Sequence, residues 1–471
     1  MLLQFSADNY KNFAEGFVLS MKPKPKQKDL VWSIQEETTG AGATYRALSS
    51  AVIFGPNASG KSNMINAVDT FKHIVSRGHI QNSVLGSVKN YAGSRLEMIP
   101  NRYLEKPKPV SFGVEFISGG VHFEYSFSAD LGEFMDGDYP RSITSETLKV
   151  NQKEVFSRSE RGFSFGNLIE IPPEIWGSEF EDRKGIAEWV AELTKPTDLF
   201  LMNGFRTSVS PGIAERFIDW LQKDLRVVCH AQDFEAVPVP SQNNLQEPHL
   251  ESADLLTQVL SNVSPNTDWA GYLFSEDRRA HLCVGLEKKG TGKVEHFFPA
   301  EVYASYGTVR LLNILPIIVH VLENGGTLMM DEFDASIHPM LAAGIISAFH
   351  NDEINRNQAQ LIVNTHNLVH MSSALYRRDE IHLIDPDWEN HTTEHYTLAD
   401  FGTVGENGVR KDEAYMRRYL CDTYGAIPET DMSELLLKML KNANEQDRTN
   451  PTSEYATAEQ QADDGKERVF A

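Results

Sequence analysis

The run Gly55-Pro-Asn-Ala-Ser-Gly60-Lys61-Ser62 has the residue types and spacing of a loop that wraps phosphate. Glycines let backbone N–H groups turn inward, and a helix start presents further N–H groups to negative charge. A lysine at the sixth step can reach the outer phosphate oxygens, and the hydroxyl after it can ligate Mg²⁺. The flanks supply the context this chemistry needs. Ala51-Val-Ile-Phe54 reads as a buried strand, and residues 64–77 read as a helix with Ile65, Val68 and Phe71 on one face. Gly55, Pro56, Asn57, Ala58, Ser59, Gly60, Lys61, Ser62 and Asn63 are therefore the expected triphosphate-binding residues.

A phosphate cradle binds but does not by itself activate water, so a second element is required. Thr327-Leu-Met-Met330-Asp331-Glu332 has its form, a short apolar strand ending in two acids. Ligands of open α/β sheets bind at the carboxyl ends of strands. There Asp331 would hold Mg²⁺ with Ser62, and Glu332 would orient and deprotonate the attacking water. An acidic pair alone would mean little. Here Ala304-Ser-Tyr-Gly-Thr308 precedes it and opens a helix through Arg310–Leu322, Asp334-Ala-Ser336 follows it, and Asn364-Thr365-His366 ends the strand Leu361–Val363.

In this order of elements the chain resembles the ABC-type ATPases, specifically their SMC/RecF-like branch. The resemblance implies ATP and Mg²⁺ as cofactors, with Lys61, Glu332 and His366 catalytic and a homodimer or higher homo-oligomer as the working form. It further implies that Ser305 and Gly307 contact a γ-phosphate held by the opposite subunit, that Asp334 sits across the dimer seam, and that His366 senses the γ-phosphate. The Ser-Tyr-Gly signature departs from the Ser-Gly-Gly usual in transporters, which disfavours transport.

Phe5-Ser-Ala-Asp-Asn-Tyr-Lys-Asn-Phe13 resembles the opening strand of RecF-like and OLD-like ATPases, with Lys11 where arginine is usual. Val409-Arg-Lys-Asp-Glu413 and Tyr419-Leu-Cys-Asp-Thr-Tyr-Gly-Ala-Ile-Pro428 resemble the closing segment of bacterial phage-defence ATPases of the AbiL and PARIS AriA kind. That likeness implies a sensor or scaffold triggered by a phage-derived protein and acting through a separately encoded effector, often a TOPRIM-type nuclease. The acidic TOPRIM pattern is absent; Asp385-Pro-Asp387 reads as a turn after the strand Ile381–Ile384. The alternative is a RecF-type DNA-repair ATPase with a local basic patch for DNA.

The fold class expected is α/β, an ABC-type P-loop ATPase fold with an N-terminal β-rich lobe and a helical insertion between phosphate loop and signature. Residues 1–165 form the first lobe, with a hairpin over 1–20, a second hairpin of Ser111–Ile117 and Val121–Ala129 about Gly119-Gly120, and a strand region at Thr147–Phe156. Residues 166–270 read as the insertion, helical at Gly185–Leu193, Gly212–Leu225 and Ala253–Val263, with Ile218, Leu221 and Leu225 on one stripe. Residues 271–442 form the second lobe, opening with strands His281–Glu287 and Glu295–Phe298, and 443–471 read as a disordered tail.

Composition narrows the function further. The 471 residues carry a net charge of −22, which opposes nonspecific DNA binding by the molecule as a whole. Lys22, Lys24, Lys26 and Lys28, interleaved with Pro23 and Pro25, read as a solvated loop rather than a nucleic-acid arm. Cys229, Cys283 and Cys421 form no CxxC pair, which speaks against a disulfide framework or a cysteine zinc site. No window has the apolar run expected of a membrane span, and a cytoplasmic location is expected. His391-Thr-Thr-Glu-His395 has zinc-protease spacing but reads as an exposed polar hairpin turn, and His370 reads as helix surface.

Overall fold

In the computed structural model a six-stranded sheet carries the loops identified above. Its strands are β5 (Ser50–Phe54), β11 (Leu225–Val228), β16 (Thr327–Met330), β17 (Gln360–Asn364), β18 (Ile381–Asp387) and β19 (Thr392–Thr397). Their order is β11-β16-β17-β5-β18-β19, parallel except for the last pair. Every residue of β5, β16 and β17 is buried, as parallel strands covered on both faces must be. Val52 pairs with Val363 and Val363 with Met330, so these three strands end level. The phosphate loop, the acid pair and the Thr365–His366 segment consequently leave the sheet at one edge.

The structure describes residues 1–25, 27, 30–81, 98–132, 139–166, 183–229, 249–264, 267–274, 280–288, 293–402, 408–410, 414–428 and 432–449. Residues 1–426 form one compact unit and 427–471 another.

A seven-stranded antiparallel sheet joins β1 (Leu2–Asp8), β2 (Phe17–Ser20), β6 (Val110–Ser118), β7 (Val121–Asp130), β8 (Ser142–Val150), β9 (Lys153–Ser159) and β10 (Gly162–Phe165), in the order β10-β9-β8-β7-β6-β1-β2. Both expected hairpins are present in it, and the strand region at Thr147–Phe156 is in fact a third hairpin, β8–β9, turning at Asn151 and Gln152 in left-handed backbone. The helix Lys61–Arg77 presses Phe71 against Phe5, Phe112 and Phe127 of this sheet, at centroid distances of 5.7, 6.3 and 6.1 Å. Aromatic burial of this kind fixes the axis of the helix that starts at the phosphate loop. Two short strands, β3 (Ile34–Thr38) and β4 (Thr44–Leu48), form a separate hairpin.

The signature helix, Tyr306–Asn324, rests on a smaller core. Its Leu312 packs with Leu256 and Leu260 of the helix Asp254–Val263 and with Ala270 and Val284. The last two belong to a four-stranded antiparallel sheet of β12 (His249–Ser252), β13 (Trp269–Phe274), β14 (Ala280–Lys288) and β15 (Lys293–Pro299).

Several expectations need correction. Leu225 does not continue a helical stripe. The α-helix Pro211–Asp219 passes through a π-helical turn, Trp220–Asp224, and Leu225 opens the edge strand β11, paired with Thr327. A further strand, β12, interrupts the stretch expected to be helical, and β13 begins at its end. Asp385-Pro-Asp387 is no turn: β18 runs to Asp387, opposite Thr392 of β19. The proline is tolerated because β5 borders β18 only as far as Leu383. One helix among the described residues, Tyr306–Asn324 with mean hydropathy 1.3, is long and apolar enough to cross a bilayer by length and composition. The expectation of no such segment is thereby corrected. This apolarity serves the core, since Leu311, Leu312, Ile314, Ile317, Ile318 and Val321 are buried against protein beside Arg310.

The second unit contains the helix Met432–Thr449, so residues 443–449 are helical where a disordered tail was expected. Residues 450–471 lie outside the described residues, as do Lys26, Lys28 and 411–413.

Candidate functional site

At the end of β5 the chain turns through Ala58 and Gly60 in left-handed backbone (φ 62° and 111°) and enters the helix at Lys61. Alternation of this kind curls successive N–H groups into a concavity for anions. Glycine is needed at 60 for space as well, because a Cβ there would lie 2.1 Å from the Asn12 amide nitrogen. Asn12 donates to the Ser59 carbonyl (2.8 Å) and to Thr393 Oγ1 (2.8 Å), and accepts from Asn63 (2.6 Å). The segment resembling the RecF-type opening strand thus braces the loop, a role for Asn12 that the sequence did not expose.

Lys61 Nζ donates to the Gly55 and Pro56 carbonyls at 2.9 and 2.7 Å. Burial pulls its pKa down to about 8, while Asp331 and Glu332 pull it back up. The helix start has no side-chain cap, and the buried Ser59 hydroxyl has no hydrogen-bond partner. Uncapped N–H groups, an orphaned hydroxyl and an ammonium holding only loop carbonyls are a donor set that fits a polyphosphate.

Across the cleft, Ser62 donates to Asp331 Oδ1 at 2.9 Å. Among the described residues no group of three His, Cys, Asp or Glu could enclose a metal. Hydroxyl and carboxylate oxygens side by side suit Mg²⁺, which keeps waters and takes its other ligands from phosphate. Asn364, fully buried at the end of β17, donates to Asp331 Oδ1 and accepts from the Glu332 N–H at 2.5 Å. Arg310 of the signature helix donates to the Glu332 carbonyl, and to those of Asp331 (3.4 Å) and Phe333 (3.5 Å). These contacts hold Glu332 in left-handed backbone, φ 47°, an uncommon state for a residue with a side chain. Neither Asn364 nor Arg310 stood out in the sequence. The one available signal was a polar residue closing a buried apolar strand.

Glu332 and His366 are exposed and line a cleft of about 450 Å³ with Asn57, Ala58, Gly60, Lys61, Ser62, Asn63 and Asn364. Partial desolvation within the cleft, and then the Lys61 charge, lower the His366 pKa below its ordinary value.

Ser305 lies outside that cleft lining and caps the signature helix, accepting from the Thr308 N–H at 3.1 Å. A Cβ on Gly307 would come 2.1 Å from the Ser336 carbonyl oxygen, so the signature glycine is required by the loop after the acid pair. Asp334 in that loop is buried within its own chain, accepting from Thr365 Oγ1 at 2.8 Å and meeting His370 Nε2 at 3.3 Å. His370 is therefore not helix surface: it sits in a 3₁₀ turn, 1% exposed, because Asp334 and Phe333 cover it. His391 is indeed in the β18–β19 turn, but His395 is half-buried on β19. It stacks on His382 with Nδ1···Nε2 at 2.8 Å, since strand alternation points it inward.

Phosphate loop, level acid pair, cleft histidine and helix-capping serine on a mainly parallel sheet define a P-loop nucleotide-binding fold. The chain belongs to the family described as "AAA domain, putative AbiEii toxin, Type IV TA system", whose family model matches residues 50–225 and 243–372. No curated protein matches it. It is similar to a solved structure described as "SMC head domain from Thermotoga maritima", at 13% identity over 84% of this chain and 98% of that one, TM-score 0.33. Another, "Crystal structure of the SmcHead bound to the C-winged helix domain of ScpA", is 12% identical over 84% and 97%, TM-score 0.37.

Proposed function

We propose that this chain hydrolyses ATP and serves as the switch and scaffold of a cytoplasmic anti-phage defence system, sensing a phage-derived protein and controlling a separately encoded toxic effector, a TOPRIM-type nuclease. The catalytic part is carried by one observation: Glu332 and His366 face Lys61 and Ser62 across a single cleft. On binding, Lys61 exchanges its two loop carbonyls for phosphate oxygens. Ser62 and Asp331 would hold Mg²⁺, which would neutralise charge on the phosphates. Glu332 takes the proton of the attacking water, and His366 hydrogen-bonds at the γ-phosphate end. Ser305 and Gly307 face the nucleotide of a second copy, so nucleotide joins the dimer and hydrolysis releases it.

The defence role is supported by the toxin–antitoxin description of the family and by the likeness of the closing segment to AbiL and AriA. Protein partners are favoured over DNA by the net charge of −22 and by the pairing of Lys22 with Glu115 and Lys24 with Asp400. The test is Glu332→Gln: ATP binding is retained while phosphate release collapses, and unchanged turnover removes Glu332 from catalysis. Lys61→Ala and Ser305→Arg subunits, each inactive alone, recover turnover when mixed because one composite site is intact. No recovery rules out completion of the site by a second copy.

A further inference from the structure

His366 and His370 share one short segment but serve different places. His366 faces the cleft, whereas His370 is buried with its Nδ1 unpartnered and its Nε2 lying between Asp334 Oδ2, 3.3 Å away, and the Asn367 side-chain amide, 3.4 Å away. The same carboxylate oxygen accepts from Thr365, the residue before His366, at 2.8 Å. Two residues beyond Asp334, the Ser336 carbonyl occupies the space a side chain at Gly307 would need. Close contacts therefore run unbroken from the His366 segment through Asp334 to the start of the signature helix.

We propose that His370 is a positioning residue: with Thr365 it latches Asp334 inward, so that the loop after the acid pair, the His366 segment and the signature helix start move together. This rests on the reading of the cleft as an ATPase site and deepens it. In a dimer with shared sites, the latch ties the sensor of a protomer's own nucleotide to the element it presents to its partner's. A packed contact chain can transmit a discrete shift only if its members are held in register.

The experiment compares the full-length wild type with His370→Leu and His370→Gln. Leucine removes the polar ring nitrogen that lies 3.3 Å from Asp334 Oδ2, and glutamine restores an N–H at the place of Nε2. Circular dichroism and Tm confirm folding, mant-ATP titration gives affinity, and phosphate release gives kcat and KM. Expected for His370→Leu is a kcat lowered about tenfold or more, as misplaced catalytic groups produce, with mant-ATP affinity within about threefold. His370→Gln recovers most of the rate. Thr365→Val lowers kcat too, and the double variant with His370→Leu falls short of the product of the two losses because both act on one carboxylate. Wild-type kcat in folded His370→Leu, or a glutamine variant as slow as the leucine one, overturns the latch. If His370→Leu does not fold, the Thr365→Val and His370→Gln rates decide alone: wild-type kcat in Thr365→Val overturns it. A wild-type chain that binds mant-ATP without releasing phosphate overturns the ATPase reading itself, and the latch with it.

Discussion

Asn364 offers the sharpest test of how the acid pair is held. Its amide accepts from the Glu332 N–H at 2.5 Å and donates to the Asp331 carboxylate, and no water can replace it because it is fully buried. Asn364→Leu keeps the volume and removes both bonds. One neutral hydrogen bond contributes about 1 kcal/mol and one to a charged acceptor about 1.5–3 kcal/mol, so roughly 3 kcal/mol of local restraint is lost. Left-handed backbone at a non-glycine costs about 1–2 kcal/mol, and Glu332, at φ 47°, would keep only the bonds its carbonyl accepts from Arg310 and the Ala335 N–H to offset it. At about 1.4 kcal/mol per decade, a displaced Glu332 corresponds to a kcat about 10²-fold lower. Phosphate release at saturating MgATP measures this, with mant-ATP affinity as the control, expected to stay within about threefold since the phosphate loop is untouched. A folded Asn364→Leu protein with kcat within about threefold of wild type would refute the argument that this amide sets the geometry of the acid pair.

Gly307→Ala should lower both stability and turnover: the added carbon meets the Ser336 carbonyl at 2.1 Å, so one backbone must yield, costing about 1–3 kcal/mol by denaturant unfolding. A neutral substitution would place that loop elsewhere in solution. Lys61, at about 8 instead of 10.5, regains its proton when a triphosphate replaces the loop carbonyls. Above pH 8, ATP binding should take up a proton and weaken as pH rises, seen by calorimetry in buffers of different ionisation enthalpy; Lys61→Arg should abolish the uptake. Without nucleotide, the unfolded chain binds more protons at this lysine between about pH 8 and 10.5, so stability should rise with pH there and Lys61→Met should flatten the rise. Burial pushes Glu380, which accepts from Ser50, up to about 8. The native state then holds the extra proton between about pH 4.5 and 8, stability falls as pH rises through that window, and Glu380→Gln should raise Tm at pH 8 but not at pH 5.

What the sequence determined alone is chemistry written in adjacent residues. The loop from Gly55 to Ser62 has the donor set of a phosphate loop wherever it lies, because its glycines, lysine and hydroxyl follow a buried strand and start a helix. Asp331 and Glu332 were legible for the same reason, as acids ending an apolar strand. Tertiary structure decided everything that depends on which strand lies beside which. Only the level register of β5, β16 and β17 brings Asn364 under the acid pair and His366 over Lys61. His370, polar and surface-like in sequence, is interior because elements distant along the chain cover it, and His395 is half-buried against His382. Leu225 fits a helical stripe, yet pairing with Thr327, about a hundred positions away, makes it a strand. Burial and strand pairing are settled by such distant neighbours, and local periodicity carries no record of them.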